Sequence, residues 1–267
     1  MLTSLPPLSL YVHIPWCIKK CPYCDFNSHQ IKTPNKEQTQ GFDEIRYIDA
    51  LNLDLQSVLP KVWGRRIQTI FIGGGTPSLL SSEALDRLLS NIRALLPVNP
   101  DAEITMEANP GTFEIEKFKN FAQSGVNRIS LGIQSFNNEK LRSLGRIHDA
   151  AQAEQAIRAA SDLFEQINID LMYALPQQTI EEALIDIRKA ISFNPAHISL
   201  YHLTLEPNTL FAKYPPEIPN DDYAFEMLDV LMGELSNFGY ERYEVSAYAK
   251  PGHRCQHNLN YWQFGDY

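Results

Sequence analysis

Short apolar runs rich in β-branched residues alternate with longer stretches of helical period along most of the chain. Six runs have the length and composition of buried strands: Leu8–Ile14, Thr69–Ile72, Glu103–Met106, Arg128–Ile133, Ile167–Met172 and His197–Leu203. The stretches predicted to be helical follow them in turn: Phe42–Leu59, Ser81–Leu96, Glu114–Gln123, Ala150–Phe164, Ile180–Phe193 and Asp221–Phe238. Consecutive strand–helix units favour a parallel sheet whose right-handed crossovers place the helices outside.

The predicted fold is therefore α/β, a partial (β/α)6 TIM-like barrel with parallel strands, and an open doubly wound sheet is the alternative. We expect the barrel to occupy residues 1–240 and residues 241–267 to begin a C-terminal region. The polar segment 31–40 is predicted to be a mobile loop, and the proline-rich segment 213–222 to connect the sixth strand to its helix. Loops after the strands of such a barrel open at one face, where active sites lie.

Charge and composition narrow the function classes. The chain has 267 residues and a formal net charge of -9 without a long basic stripe. This disfavours binding to nucleic-acid phosphate and favours a small molecule or a protein partner. No apolar run approaches the ~20 residues of a membrane helix, and residues 1–7 lack the features of a signal peptide, so we predict a cytoplasmic protein.

Three of the four cysteines fall close together. Cys17, Cys21 and Cys24 form a C-x3-C-x2-C loop after the first predicted strand, whereas Cys255 stands far away. A secreted disulfide framework does not have this spacing. Three thiolates on one tight loop can hold a four-iron cluster and leave one iron able to bind another ligand. A structural zinc ion completed by a nearby histidine, or three unrelated core thiols, are the alternatives.

With Tyr23 before the last cysteine, this loop resembles the signature of the radical S-adenosylmethionine (SAM) superfamily. Further segments are similar to the coproporphyrinogen oxidase-like branch of that superfamily: Tyr11–Cys17, Gly73–Ser78, Leu131–Phe136 and Asp170–Pro176. The resemblance covers essentially the whole chain. It implies a [4Fe–4S] cluster on Cys17, Cys21 and Cys24, with SAM as a second cofactor.

The resemblance also implies a set of SAM-binding residues: Tyr11, Tyr23, Gly74, Gly75, Thr76, Glu107, Gln134, Arg146 and Asp170. The glycine segment would approach the methionyl amino group, Arg146 would hold the carboxylate, and the acids and the amide would accept bonds from amino or ribose groups. Tyr11 would abut a cluster sulfur and Tyr23 would lie beside adenine. Each has a plain structural alternative: a turn, a solvated arginine, strand-end caps, or core tyrosines.

Within this branch the chain resembles the HemW heme chaperone family more than the oxidases. The oxidases carry a further cysteine two positions after the third, where this chain has Phe26, and a longer N-terminal segment. The tail His257–Trp262 matches the H-N-x-x-Y-W element of HemW-like proteins. Histidine can be an axial ligand of heme iron. We therefore predict His257 as the heme ligand, with Cys255 as a rival and a packed, hydrogen-bonded histidine as the structural alternative.

The function that this resemblance implies is a chaperone that binds heme and delivers it to acceptor proteins, with the cluster and SAM supporting transfer. Oxygen-independent coproporphyrinogen III oxidase is the alternative. Neither a nucleic-acid partner nor a membrane span is expected. Contact with membrane-bound acceptors would then be peripheral. The family continues into another glycine-rich stretch and a C-terminal domain, so the chain is expected to be C-terminally truncated.

Overall fold

The computed structural model describes residues 5–31, 42–110 and 115–267. The strands in these residues are β1 Leu8–Ile14, β2 Trp16–Cys17, β3 His29–Gln30, β4 Ile67–Gly74, β5 Val98–Ala108, β6 Arg128–Gln134, β7 Gln166–Tyr173, β8 His197–His202, β9 Glu241–Arg242 and β10 Ala247–Ala249. The six predicted strands are confirmed; β5 begins at Val98, well before the predicted Glu103, and the ends of the other five agree closely. The short strands β2, β3, β9 and β10 were not predicted.

The helices in the same residues are α1 Glu44–Val62, α2 Ser82–Leu95, α3 Ile115–Ser124, α4 Asn138–Ser143, α5 Ala150–Ser161, α6 Ile180–Ser192, α7 Leu210–Lys213, α8 Asp221–Asn237 and α9 Gln256–Trp262. The six predicted helices are confirmed over their described parts, although Glu114 lies outside the described residues. Of the predicted loop 31–40, only Ile31 is described. The predicted connection 213–222 does link β8 to α8, and it follows the short helix α7.

The main sheet has the strand order β1-β4-β5-β6-β7-β8-β10-β9. Neighbouring strands from β1 to β8 are parallel, whereas β10 is antiparallel to both β8 and β9. Each parallel strand lies beside the one before it, so the sheet winds in one direction and lacks the reversal of a doubly wound fold. Among the described residues β1 and β9 are not paired with each other, and the barrel is therefore partial, as predicted.

The two faces of the sheet differ in polarity. Ile70 and Ile72 of β4 are fully buried in the hydrophobic core shared with the outer helices, which also contains Leu85 of α2. Burial of each such side chain contributes ~1.5–3 kcal/mol. Side chains alternate along a strand, so Thr69 points to the opposite face, where its hydroxyl contacts the Ser9 hydroxyl at 2.8 Å. The barrel interior is thus polar, and the apolar core lies between sheet and helices.

Residues 241–267 complete the structure at two places. Strands β9 and β10 extend the sheet beyond β8, and α9 lies at the amino ends of the parallel strands. There the Glu103 carboxylate accepts the backbone N–H groups of Gln256 and His257, each at 3.1 Å. The main sheet therefore includes strands from both sides of residue 240. The predicted domain boundary at this residue stays a prediction. In the described ranges, no helix has the length and apolar character needed to cross a membrane.

Candidate functional site

A cavity of about 390 Å³ opens at the carboxyl ends of the parallel strands. Most of the residues predicted to bind the cofactors line it: Cys17, Cys21, Tyr23, Cys24, Gly74, Gly75, Thr76, Glu107, Gln134, Arg146 and Asp170. They lie at strand ends or in the loops that follow, where a barrel concentrates functional groups. In the part of the chain that the structure describes, two predicted residues are absent from this lining, Tyr11 and His257.

The loop that carries the three cysteines is held by backbone hydrogen bonds from the glycine segment after β4. The N–H of Gly75 donates to the Ile14 carbonyl and the N–H of Thr76 to the Trp16 carbonyl, both at 2.7 Å. A Cβ on Gly75 would lie 2.6 Å from the Trp16 oxygen and 3.0 Å from the Sγ of Cys17. Close approach of the cysteine loop therefore requires glycine at this position.

A lysine fixes the far end of the same loop. The Nζ of Lys20 donates to the carbonyl of Phe26 at 2.9 Å and to that of Ser28 at 3.1 Å. This ammonium brings a positive charge next to a loop that carries three thiols. Phe26, at the position of the extra cysteine in the oxidases, is 60% exposed.

The thiols of Cys17, Cys21 and Cys24 are free and partly buried, and all three line the cavity. Burial raises the pKa of Cys17, and hydrogen bonds from the Thr76 and Ser28 hydroxyls oppose this rise. Among the described residues, no group of three or more His, Cys, Asp or Glu side chains is arranged to hold a single metal ion. A [4Fe–4S] cluster instead takes each thiolate on a different iron. Three free thiols that line one cavity therefore fit the donor set of such a cluster.

Two of the carboxyl groups that line the cavity come from strands of the main sheet, those of Glu107 on β5 and Asp170 on β7. Glu107 accepts the backbone N–H of Gly74 at 3.0 Å, and Asp170 accepts the Ser130 hydroxyl at 2.9 Å and the Asn168 amide at 2.7 Å. Burial, with the charge of Asp170, raises the pKa of Glu107 to about 8, and burial also raises the pKa of Asp170. A cationic ligand would relieve the repulsion between these acids.

The guanidinium of Arg146 lies between the cysteine loop and β6. Its Nη2 donates to the Gly132 carbonyl at 2.7 Å and also contacts the Asn109 amide oxygen, and its Nη1 lies 3.6 Å from the Sγ of Cys21. Its Nε is buried and has no hydrogen-bond partner among the described residues. The solvated-arginine alternative is therefore wrong, and the guanidinium places a positive charge at the cavity lining that suits an anionic group.

The two predicted tyrosines occupy different places. Tyr23 lines the cavity, and burial raises its pKa. The hydroxyl of Tyr11 bonds to Nδ1 of His13 at 3.0 Å, and Nε2 of His13 donates to the Asn27 carbonyl at 2.8 Å. Tyr11 thus supports the cysteine loop through His13, and its contact with a cluster sulfur stays a prediction.

His257 lies in the barrel interior and is 2% exposed. Its Nδ1 bonds to the Thr69 hydroxyl at 2.7 Å and its Nε2 to the Tyr261 hydroxyl at 2.9 Å. Burial lowers the pKa of His257 to about 4, so the ring is neutral at pH 7. The rival ligand Cys255 is also buried, with its Sγ 3.3 Å from the Glu103 carboxylate. Heme ligation by either side chain stays a prediction, and for His257 it requires the loss of one of these two bonds.

The cavity lining also contains residues that sequence reasoning did not single out. They lie at the end of β8 and directly after it: Tyr201, His202, Leu203 and Thr204. The rings of His202 and Tyr173 lie 5.2 Å apart between centroids. Active sites of barrels lie at the carboxyl ends of the strands, and these residues follow that rule. The sequence of β8, however, contains no motif that would have identified them.

Comparison with known proteins identifies the family of this chain. The family model of the radical SAM superfamily matches residues 11–190. Over its whole length the chain is 54% identical to the heme chaperone HemW of Escherichia coli strain K12, and it covers 69% of that protein. The chain belongs to the radical SAM superfamily and, within it, to the HemW family.

Two further relatives show how far the similarity extends. The HemW of Bacillus subtilis strain 168 is 37% identical over 97% of this chain and 68% of that protein. The structure of the coproporphyrinogen III oxidase HemN from Escherichia coli, described as a radical SAM enzyme, superimposes with a TM-score of 0.82 at 30% identity, covering 94% of this chain and 57% of that one. This HemW-family chain therefore shares its fold with the oxidase and is more similar in sequence to the chaperones.

Proposed function

We propose that this HemW-family chain is a heme chaperone that holds a [4Fe–4S] cluster and SAM at the carboxyl ends of its strands and delivers heme to acceptor proteins. The observation that carries the cofactor part is the cavity shared by three free thiols, the half-buried acids Glu107 and Asp170, and the guanidinium of Arg146. The role as a heme chaperone rests on the sequence identity to HemW proteins.

Each group in the cavity has a task in this proposal. Cys17, Cys21 and Cys24 hold the cluster, which when bound supplies an iron with a free coordination position. Arg146 binds the carboxylate of SAM through its guanidinium. Glu107 and Asp170 provide negative charge for the ammonium and ribose side of the ligand, and the low dielectric around them strengthens that attraction.

Heme would bind at the other end of the barrel, next to α9. Tyr261 and Trp262 of this helix are exposed, at 39% and 54%, and the ring of Tyr261 packs edge-on against that of Tyr267. Such aromatic side chains can cover the face of a macrocycle. His257, one turn earlier on α9, is the proposed axial ligand, with Cys255 as the rival.

The proposed compartment is the cytoplasm, because an iron–sulfur cluster on free thiols requires reduced cysteines. The proposed partners are heme and proteins that accept it, including membrane-bound acceptors approached from the surface. Nucleic acid is not proposed as a partner, given the formal net charge of -9.

The similarity to HemN supports the second candidate, an oxygen-independent coproporphyrinogen III oxidase. Phe26 stands where those oxidases have a further cysteine, and it is exposed at the rim of the cysteine loop. One experiment separates the two functions: the protein is reconstituted anaerobically with iron and sulfide, titrated with heme, and assayed for coproporphyrinogen decarboxylation. Heme binding without turnover supports the chaperone, whereas turnover would establish the oxidase.

A further inference from the structure

The backbone of Gln134 has a conformation that its side chain does not favour. Its φ angle is +69°, in the left-handed region that a residue other than glycine enters at a cost. The pairing of β6 with β7 also shifts register between Gly132 and Gln134, which marks a bulge. Bulges next to active sites turn a side chain in a new direction, and Gln134 lines the cofactor cavity.

Residues on both sides of Gln134 are held in place by side chains from other elements. Before it, Arg146 donates to the Gly132 carbonyl at 2.7 Å and Nε2 of His148 donates to the Ile133 carbonyl at 3.1 Å. His148 is buried and its pKa is lowered to about 4 by burial. Its ring is therefore neutral at pH 7 and can donate from Nε2 alone.

After Gln134, a single carboxylate makes both contacts. Asp186 of α6 accepts the Ser135 hydroxyl at 2.6 Å on one oxygen and the Phe136 backbone N–H at 2.7 Å on the other. Asp186 is 3% exposed, and Ser135 is fully buried. A carboxylate is costly to bury, and an apolar residue at this helix position would pack against the sheet without that cost.

We propose that Asp186 is a positioning residue that holds the strained backbone of Gln134 and so directs the Gln134 amide toward SAM. This inference rests on the proposed SAM site. Asp186 does not reach the cavity lining itself; it acts through Ser135 and Phe136. The charged groups that face it are Glu182 on the same helix and Lys140 on α4, whose Nζ lies 3.2 Å from the Glu182 carboxylate.

The electrostatics predict a pH dependence for this arrangement. Burial raises the pKa of Asp186 to about 6, although both hydrogen bonds oppose the rise. Above this pH both oxygens accept hydrogen bonds. Below it, one oxygen carries a proton and the grip on Ser135 or Phe136 weakens, so SAM binding should contain a component that is lost as the pH falls below about 6.

The test measures SAM affinity by calorimetry on the anaerobically reconstituted protein, together with iron and sulfide content. Asp186→Ala should weaken SAM binding about tenfold, the factor that corresponds to one hydrogen bond to a charged group, with the cluster retained. Asp186→Asn keeps an acceptor for the Phe136 N–H and should restore most of the affinity while removing the component lost below pH 6. Glu181→Gln, on the exposed side of α6, is the matched control and should bind like the wild type.

A double-mutant cycle shows whether Asp186 acts through Gln134. In a Gln134→Ala background, Asp186→Ala should cause no further loss, and a full additional tenfold loss would overturn the proposal. If Asp186→Ala fails to fold, Ser135→Ala removes one of the two bonds with little change in volume, and unchanged SAM affinity in that variant would overturn it equally. Absence of SAM binding to the wild type would overturn the proposed cofactor site and this inference with it. Wild-type binding with unaffected variants would overturn this inference alone.

Discussion

The Glu107 carboxylate accepts the backbone N–H of Gly74 at 3.0 Å, which joins the ends of two neighbouring strands. The approach depends on the missing side chains of the glycine segment. A Cβ on Gly73 would lie 3.1 Å from the same carboxylate, and Gly74 has a φ angle of +115°. Glu107 and the glycine segment therefore form one structural unit of the cavity.

The raised pKa of Glu107 predicts that SAM binding releases a proton. Its pKa of about 8 in the free protein means that the carboxyl is mostly protonated at pH 7. A bound cation favours the ionised form and lowers this pKa, so affinity should rise with pH up to about 8. Calorimetry in buffers of different ionisation enthalpy measures the released protons. Glu107→Gln should remove the proton release and the slope between about pH 6 and pH 8, and should keep the loss below pH 6 that is assigned to Asp186. Glu139→Gln, an exposed residue, should keep both components; an unchanged slope above pH 6 in Glu107→Gln would contradict the assignment.

Cluster loading should depend on three of the four cysteines. Cys17→Ala, Cys21→Ala and Cys24→Ala should each abolish it, because each removes a thiolate from the shared cavity. Cys255→Ala should load normally, since Cys255 lies against Glu103 at the other end of the barrel. Iron and sulfide analysis with visible spectra measures this. Full loading in any of the first three variants would show that the cluster is held elsewhere.

Arg146→Ala should weaken SAM binding by about 1.5–3 kcal/mol, the value of a hydrogen bond to a charged group. The cluster should remain, because the cysteine loop is also held by Gly75, Thr76 and Lys20. Titration calorimetry measures the affinity, and Arg142→Ala on the exposed side of α4 is the matched control. Equal affinities in the two variants would remove Arg146 from the SAM site.

His257→Ala should shift or bleach the absorption spectrum of bound heme if His257 is the axial ligand, while the signal of the cluster survives. The substitution also leaves the buried Thr69 hydroxyl without one of its two partners and should lower the free energy of unfolding by about 1–3 kcal/mol. Heme titration below the melting transition separates the two effects. Cys255→Ala serves as the control for thiolate ligation, and an unaltered spectrum in His257→Ala would assign the iron to another residue.

The sequence predicted the parallel strands well because their apolar runs are continuous and bounded by polar residues. Strand β1 has the predicted bounds Leu8–Ile14. By contrast, β10 spans only Ala247–Ala249, and a strand of this length carries no period that a pattern can reveal. It depends on its antiparallel pairing with β8, which is a tertiary contact.

The candidate site was predictable where a motif sits at a strand end. The cysteine loop, Glu107 and Asp170 all meet in the cavity, because the carboxyl ends of parallel strands share one edge of a sheet. Asp186 was not predictable, since it lies in the middle of an amphipathic helix and its partners are 50 and 51 positions away. The hydrogen bond between the His257 ring and Thr69 was also not predictable, because the motif covers only neighbouring positions and Thr69 is distant in sequence.

The two hydrogen bonds of the His257 ring affect how readily the protein releases heme. Thr69 and Tyr261 compete with any iron for the same two nitrogens. If His257 ligates heme, each bond broken for ligation opposes binding by ~0.5–1.5 kcal/mol, which is roughly a two- to tenfold loss of affinity. On departure of the heme the imidazole returns to partners that are already in place. The resting barrel interior would then favour unloading, and an acceptor protein would need only moderate affinity to take the heme.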